Sequence, residues 1–314
     1  AGRELSRLTA ADIGYAIGPR LNAAGRLEDM SIGIECLLTD DYPKALELAH
    51  TLTRINRERQ EMESGMRLQA FALADELFED GVLPPAAISV FDPDFHEGVV
   101  GIVAGRLRER WRKPVIVIGV DPVTGVGKGS GRSQPGMNLG RAVQAAWEAG
   151  VLMAGGGHAM AAGLTVGGGR IGELKAFLND RLANERIIAV AEDWLEVDAL
   201  LDPGGATRDL FEGFEQLAPF GPANPEPVFA LAGVQAREPA QMNGGHVRCR
   251  LVGADGTSIR AVAWRCADLP SGQALLSGQG GLNVVGRLKA DDWNGRRGVQ
   301  LEIEDVADPR MVQG

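Results

Sequence analysis

From Asp41 onward, apolar side chains recur at Ala45, Leu46, Ala49, Leu52, Ile55, Met62, Met66, Ala70, Leu73 and Leu77. This three-and-four spacing belongs to a helix with one apolar stripe. Asp41 supplies an acidic cap, Pro43 suits a first helical position, and Gly81 marks the end. Charge crowds its middle, Arg54 to Glu63, so a solvent-bridging connector over residues 41–80 is predicted. Ahead of it, Ile17 to Leu27 fits neither strand nor helix periodicity and reads as a structured loop within residues 1–40.

Residues 81–192 alternate the two periods. Ala86 to Phe91 and Pro114 to Val120 are apolar runs suited to buried strands, and Glu97 to Arg110 is helical. An Asp121-to-Gly125 turn, the strand-like Gly127 to Ser133, a helix near Asn138 to Ala149, a short strand at Leu164 to Val166 and a helix over Ile171 to Asn184 follow. This predicts an α/β domain. Residues 193–314 carry β-rich runs at Val228 to Val234, His246 to Leu251, Ser258 to Trp264, Gly281 to Leu288 and Val299 to Val306. Five such runs between Gly, Asn and Asp turns predict a small all-β barrel of the OB-fold type. Pro219 to Pro227 is too proline-rich for either element and reads as a rigid loop leading into it.

Composition narrows the possibilities. At 314 residues the chain exceeds one ordinary core, and no apolar run reaches membrane-spanning length. The N-terminal residues lack a signal-peptide core, so a cytoplasmic location without a membrane is expected. Cys36, Cys249 and Cys266 are odd in number and widely spaced, which fits plain thiols. The net charge of −10 argues against binding nucleic acid by bulk positive charge and leaves room for a local basic groove.

Four segments hold the ingredients of an anion site. They are Asn22 to Arg26; Phe95 to Gly101 at a helix start; Gly127 to Ser133; and Gly155-Gly156-Gly157-His158-Ala159-Met160-Ala161-Ala162-Gly163. Glycines allow close backbone approach, N–H groups converge on anions, and an arginine forks onto phosphate. Taken singly, Arg26 reads as a surface ion pair and His96 as a structural group. The crowded glycines of Ser130-Gly131-Arg132-Ser133 favour ligand contact, because a plain strand gains nothing from them. Four scattered histidines without a nearby acidic cluster offer no metal site in this chain.

Together, IGPRLNAAGRL (17–27), HEGVVGIVA (96–104), SGRS (130–133), GGGHAMAAG (155–163) and PFGPANPEP (219–227) resemble, in order, the C-terminal two-thirds of the RecJ family. These are single-strand-specific 5′→3′ DNA exonucleases of the DHH phosphoesterase superfamily. The resemblance implies the tail of a DHH domain over 1–40, a connecting helix over 41–80, a DHH-associated substrate-binding domain over 81–192 and an OB-fold over 193–314. The DHH-associated domain would be a mixed sheet with flanking helices. It also implies that Arg26, Ser130 and Arg132 hold the 5′-terminal phosphate and nearby backbone. Gly156, Gly157 and His158 would line the strand at the scissile bond, with His158 as the catalytic candidate.

Single-stranded DNA is the implied partner, with a single-strand-binding protein or a helicase beside it, in DNA repair and recombination. Mn2+ or Mg2+ is the implied cofactor, held by the DHH domain. The Asp-His-His motif and the aspartates of that domain are missing here, so the chain is expected to be a C-terminal portion that binds DNA weakly and cleaves none alone. In the barrel, Trp264 and Trp293 with Arg265, Arg296 and Arg297 are the stacking and phosphate candidates, although residues 193–314 carry 17 acidic against 11 basic side chains, net −6. Two further readings stay open: a phosphodiesterase for short oligonucleotides or cyclic dinucleotides within the same superfamily, and a non-catalytic nucleic-acid-binding or scaffold module.

Overall fold

The computed structural model describes residues 2, 8–78, 85–185, 195–221, 223–291 and 297–309. The chain divides into two compact units, Ala1–Glu192 and Asp193–Gly314.

The first unit opens with helices. Thr9 caps α1 (Ala10–Asp12), accepting from the Asp12 amide, and a π-turn over Ile13–Ile17 leads into α2 (Gly18–Leu27). α3 (Ser31–Leu38) and α4 (Tyr42–Asp75) follow, and a 3-10 turn, Glu76–Phe78, extends α4. The segment expected as a loop at 17–27 is therefore helical. Pro19 sits in the first turn, where its missing N–H costs nothing, and Ala23 and Ala24 are fully buried. Burial of that small face outweighs the poor helix propensity of its glycines.

Nor is α4 a solvent bridge. It buries Leu52, Ile55, Met66, Ala70 and Ala74, packing on α2 and α3 along its first half and on the sheet domain along its second. Gly81, its expected end, lies outside the described residues.

The sheet of this unit runs β1 (Ile88–Asp92), then α5 (Val100–Trp111), β2 (Val115–Val120), β3 (Val126–Arg132), α6 (Leu139–Glu148), β4 (Ala154–His158), β5 (Ala161–Gly167) and α7 (Ile171–Glu185). Strand order is β1-β2-β3-β5-β4, with β1–β2 parallel and the other pairs antiparallel. α5 starts three residues later than the periodicity suggests. Gly98 donates its amide to His96 Nδ1 at 3.1 Å in the turn before it. Arg112, with φ 48°, ends the helix in the left-handed region.

Every residue of β2 from Val115 to Gly119 is buried, as a strand covered on both faces requires. Ile116 and Ile118 face α6 and α7, together with Leu139, Val143, Leu174 and Leu178. Val115 and Val117 face α5 and α4, together with Val103, Leu107 and Met66. Each large aliphatic side chain removed from water contributes about 1.5–3 kcal/mol. The second layer stops short, however. α5 covers β2 and β3 and α4 covers β1, while Ala154, Gly156 and Gly163 on β4 and β5 remain exposed.

The second unit carries β6 (Ala199–Leu200), α8 (Arg208–Glu215), β7 (Phe229–Met242), β8 (His246–Val252), β9 (Ser258–Ala263), α9 (Pro270–Leu276), β10 (Leu282–Asp291) and β11 (Gly298–Ala307). The order β10-β11-β9-β8-β7 closes by pairing β10 with β7, and the parallel β9–β11 pair makes this a five-stranded OB-type barrel with β6 appended. Its core holds Leu231, Leu251, Leu275, Leu282, Val284, Leu288 and Leu301. The proline-rich loop is irregular as expected. Asn224 Nδ2 stitches it by donating to the carbonyls of Leu217 and Pro219 at 2.9 and 3.1 Å.

Candidate nucleic-acid interface

The glycine-histidine segment is a strand, not a loop. Residues 154–158 form β4, residues 159–160 turn, and β5 begins at Ala161. Register then builds an open platform. Arg132 lies beside Ala161 and Ala161 beside His158; Ser130 beside Gly163 and Gly163 beside Gly156; Lys128 beside Thr165 and Thr165 beside Ala154. Residues directly opposite one another in antiparallel strands share a face. The result is three rows of three: a cationic and hydroxyl column on β3, a column of small residues on β5, and a third on β4 that ends in an exposed histidine.

Period-two alternation also sorts the glycines. A Cβ on Gly155 would press on Val143 and Leu152, and one on Gly157 would overlap the backbone of Ala161 and Ala162. Those two glycines serve packing, and Gly157 faces away from the platform. The glycines of β3 behave likewise: Gly127, Gly129 and Gly131 turn toward Ile118, Leu164 and Leu139, where a methyl has no room. Their crowding therefore reflects close packing, contrary to the expectation of ligand contact, while Ser130 and Arg132 on the opposite parity face the groove. At Gly156 and Gly163 no atom stands within 4 Å of an added Cβ. Packing does not account for them.

α6 anchors the histidine. A Cβ on Gly140 would come within 2.8 Å of the Gly157 carbonyl carbon, and Leu139 donates its amide to Ala159 at 3.1 Å. His158 Nδ1 accepts from the Met160 amide at 3.3 Å, so Nε2 is the ring nitrogen left to donate.

The other wall comes from α2 and α5. Arg26, in the last turn of α2, donates from Nη1 to the Gly98 carbonyl at 3.1 Å. A Cβ on Gly98 would overlap the Arg26 carbonyl, so this close approach requires glycine. Gly101 on α5 is equally constrained, its absent Cβ lying 3.0 Å from Ser130 Oγ and 3.1 Å from Arg132 Nη2. Arg132 reaches Ser130 Oγ at 3.0 Å and the Gly131 carbonyl at 2.8 Å. Between these walls lies an open groove of about 590 Å³, lined by Arg26, Gly98, Lys128, Ser130, Gly163 and Thr165 among others.

Electrostatics single out the arginines. Partial burial pushes the Arg132 guanidinium below its ordinary value, and Arg26 and Arg108 push it the same way. Among the described residues no carboxylate lies within ion-pair distance of these three. Lys128, by contrast, pairs with Glu97 at 2.6 Å, and that hydrogen bond raises its pKa. A phosphate would relieve the mutual repulsion of the arginines while accepting charge-assisted hydrogen bonds. A divalent ion finds no comparable place: no cluster of three His, Cys, Asp or Glu side chains able to hold a metal occurs among the described residues.

The barrel presents a second basic surface. Arg237, Arg250 and Arg260 lie side by side on β7, β8 and β9, all on the outward parity. Arg260 pairs with Asp291 at 2.9 Å. Trp264, 51% exposed, donates Nε1 to Glu302 at 2.7 Å and meets His246 edge-on at 4.9 Å, while the Arg265 amide donates to His246 Nδ1. Arg297 is exposed just before β11. Trp293 and Arg296 lie outside the described residues. Sequence reading missed the arginine row, Thr165 and Arg108, and it held Gly163 only as the end of the glycine-histidine segment; each needs strand register or helix phase to be seen.

No described helix is long and apolar enough to cross a membrane. Two family models match: a DHHA1 domain over residues 84–184 and a RecJ OB domain over residues 197–305. Single-stranded-DNA-specific exonucleases RecJ from Dickeya dadantii and Escherichia coli are 38% and 36% identical, each over 73% of this chain. That of Haemophilus influenzae is 30% identical over 98% of it. These alignments span 40%, 40% and 53% of the relatives' own lengths. Thermus thermophilus RecJ, crystallised with Mg2+, superposes with a TM-score of 0.76 at 30% identity, covering 96% of this chain and 44% of its own. With a DHHA1 domain followed by a RecJ OB domain, the chain belongs to the RecJ family.

Proposed function

We propose that this chain is the strand-gripping part of a RecJ-type, single-strand-specific 5′→3′ exodeoxyribonuclease acting in DNA repair and recombination in the cytoplasm. Arg26, Ser130 and Arg132 hold the 5′-terminal phosphate. The terminal nucleotide lies across the bare row Gly163–Gly156, and His158 Nε2 donates to a phosphate oxygen next to the scissile bond. Gly157 contributes by letting β4 approach β5 rather than by facing the strand. The observation that supports this reading is the row Ser130–Gly163–Gly156, which sets a hydroxyl, next to arginines with no carboxylate partner among the described residues, beside a floor without side chains.

The hydrolytic chemistry, with the Mn2+ or Mg2+ it uses, belongs to a part of the whole protein outside the described residues. The Thermus thermophilus relative has been crystallised with each ion. The chain is then expected to bind DNA and leave it uncut. In the barrel, Trp264 and the arginine row hold single-stranded DNA by stacking and phosphate contact. Association with a single-strand-binding protein or a helicase belongs to the same proposal.

Binding of single strands that differ only in a 5′-phosphate or a 5′-hydroxyl tests it, followed by incubation with Mn2+. Preference for the phosphate without cleavage supports the reading. Indifference to the end favours a scaffold module, and robust 5′→3′ degradation removes the division of labour.

A further inference from the structure

The arginines of α5 are not equivalent. Arg106 pairs with Glu109 at 3.1 Å and lies 3.6 Å from Glu63, and Arg110 pairs with Asp75 at 3.0 Å. Arg108, half-buried between them in sequence, has no carboxylate within ion-pair distance among the described residues. Nearby acids exist, but they are held on other faces of the helix.

Helix phase places Arg108. Gly101, Gly105 and Arg108 fall on one stripe by the four-and-three spacing. Gly101 stands against Ser130 and Arg132, so Arg108 projects from the same side two turns farther on, about 10 Å along the axis. Between them, the space above Gly105 is open, with no atom within 4 Å of an added Cβ. The Arg108 turn is also tied to the chain leaving β3, because Gln134 Nε2 donates to the Arg108 carbonyl at 3.4 Å. Arg26 at the start of α5, Arg132 beside its first turn and Arg108 at its second half thus form a file of guanidinium groups along one helix.

We infer that Arg108 forms a second phosphate subsite, which takes a phosphodiester of the same strand whose end the Arg26–Ser130–Arg132 site holds. One anion does not use three guanidiniums spread over this length; a strand with regularly spaced phosphates does. The effect of Arg108 on Arg132 noted above fits a shared polyanion. The inference rests on the reading of the groove as a strand-binding site, and it adds that recognition grows stepwise with strand length.

Binding of 5′-phosphorylated mono-, di-, tri- and tetranucleotides to the full chain tests it, with Arg108→Ala, Arg108→Lys and Arg132→Ala compared by titration at two salt concentrations. The intact chain should gain about tenfold in affinity at the length where a second phosphate reaches Arg108, corresponding to ~1.4 kcal/mol. Arg108→Ala should lose that step and lower the salt slope by about 0.7, with a much smaller loss for the mononucleotide, because Arg108 acts on the Arg132 site only through its charge. Arg108→Lys should keep part of the step, which separates a phosphate contact from a folding defect. Arg132→Ala should weaken every length. An Arg108→Ala chain that keeps the step, or loses mononucleotide binding equally, overturns the subsite alone. An intact chain that binds none of these ligands overturns the groove reading as well.

Discussion

Replacing Gly163 or Gly156 by alanine separates a binding role from a structural one. Neither site has an atom within 4 Å of the added methyl, and neither has a positive φ. Both sit in strands, where glycine costs about 0.5–1 kcal/mol relative to alanine through backbone entropy. Each substitution should therefore raise stability by up to that amount, a rise of about 1–4 °C in the melting temperature of a unit this size. If the terminal nucleotide rests on this floor, the same methyl intrudes on the bound strand at a cost of about 1–3 kcal/mol, the usual range for overpacking. That corresponds to a loss of about 5- to 150-fold in affinity. Calorimetry and fluorescence titration with a 5′-phosphorylated single strand read the two quantities on the same samples. Stability should rise while affinity falls. Unchanged affinity in both variants, or a lower melting temperature, would refute the reasoning.

Three further outcomes are expected. Arg132→Ala should weaken 5′-phosphorylated strands by about 1.5–3 kcal/mol and lower the salt slope by about 0.7, with little loss of thermal stability, because its neighbours Arg26 and Arg108 repel it; equal weakening of 5′-hydroxyl strands would contradict this. Trp264→Ala should reduce affinity for longer strands by about 1–3 kcal/mol without changing the 5′-phosphate preference, as titration over a length series would show. Burial pushes the Cys249 thiol up from 9.0 to about 12, so its contribution to stability is intact below pH 9 and is lost as pH rises from there toward 12, where the unfolded thiol ionises first. In the folded chain at pH 8 it should resist iodoacetamide while the less buried Cys36 reacts, and peptide mass spectrometry showing equal labelling would count against that burial.

Much of the architecture was legible because it rests on periodicity. The apolar stripe of α4, the unbroken Val115-to-Val120 run and the alternation of Val247, Cys249 and Leu251 each state their element directly. The helix at Gly18–Leu27 was not legible, because buried Ala23 and Ala24 decide it and no local pattern announces their burial. The motif residues were found as segments but not sorted by face. Three adjacent glycines carry no parity, and only pairing with β5 shows that Gly156 is open while Gly155 and Gly157 are packed. Arg108 and the row Arg237–Arg250–Arg260 needed register between elements, which a linear sequence does not display.

Backbone amide shifts of the isotope-labelled chain, recorded while a 5′-phosphorylated dinucleotide is added, test the central claim most directly. The account predicts that the largest changes fall on Ser130, Arg132, Gly163, Gly156 and His158, with smaller ones at Arg26 and Gly98. Changes confined to other surfaces, with the β3–β5–β4 platform unmoved at saturation, would contradict it.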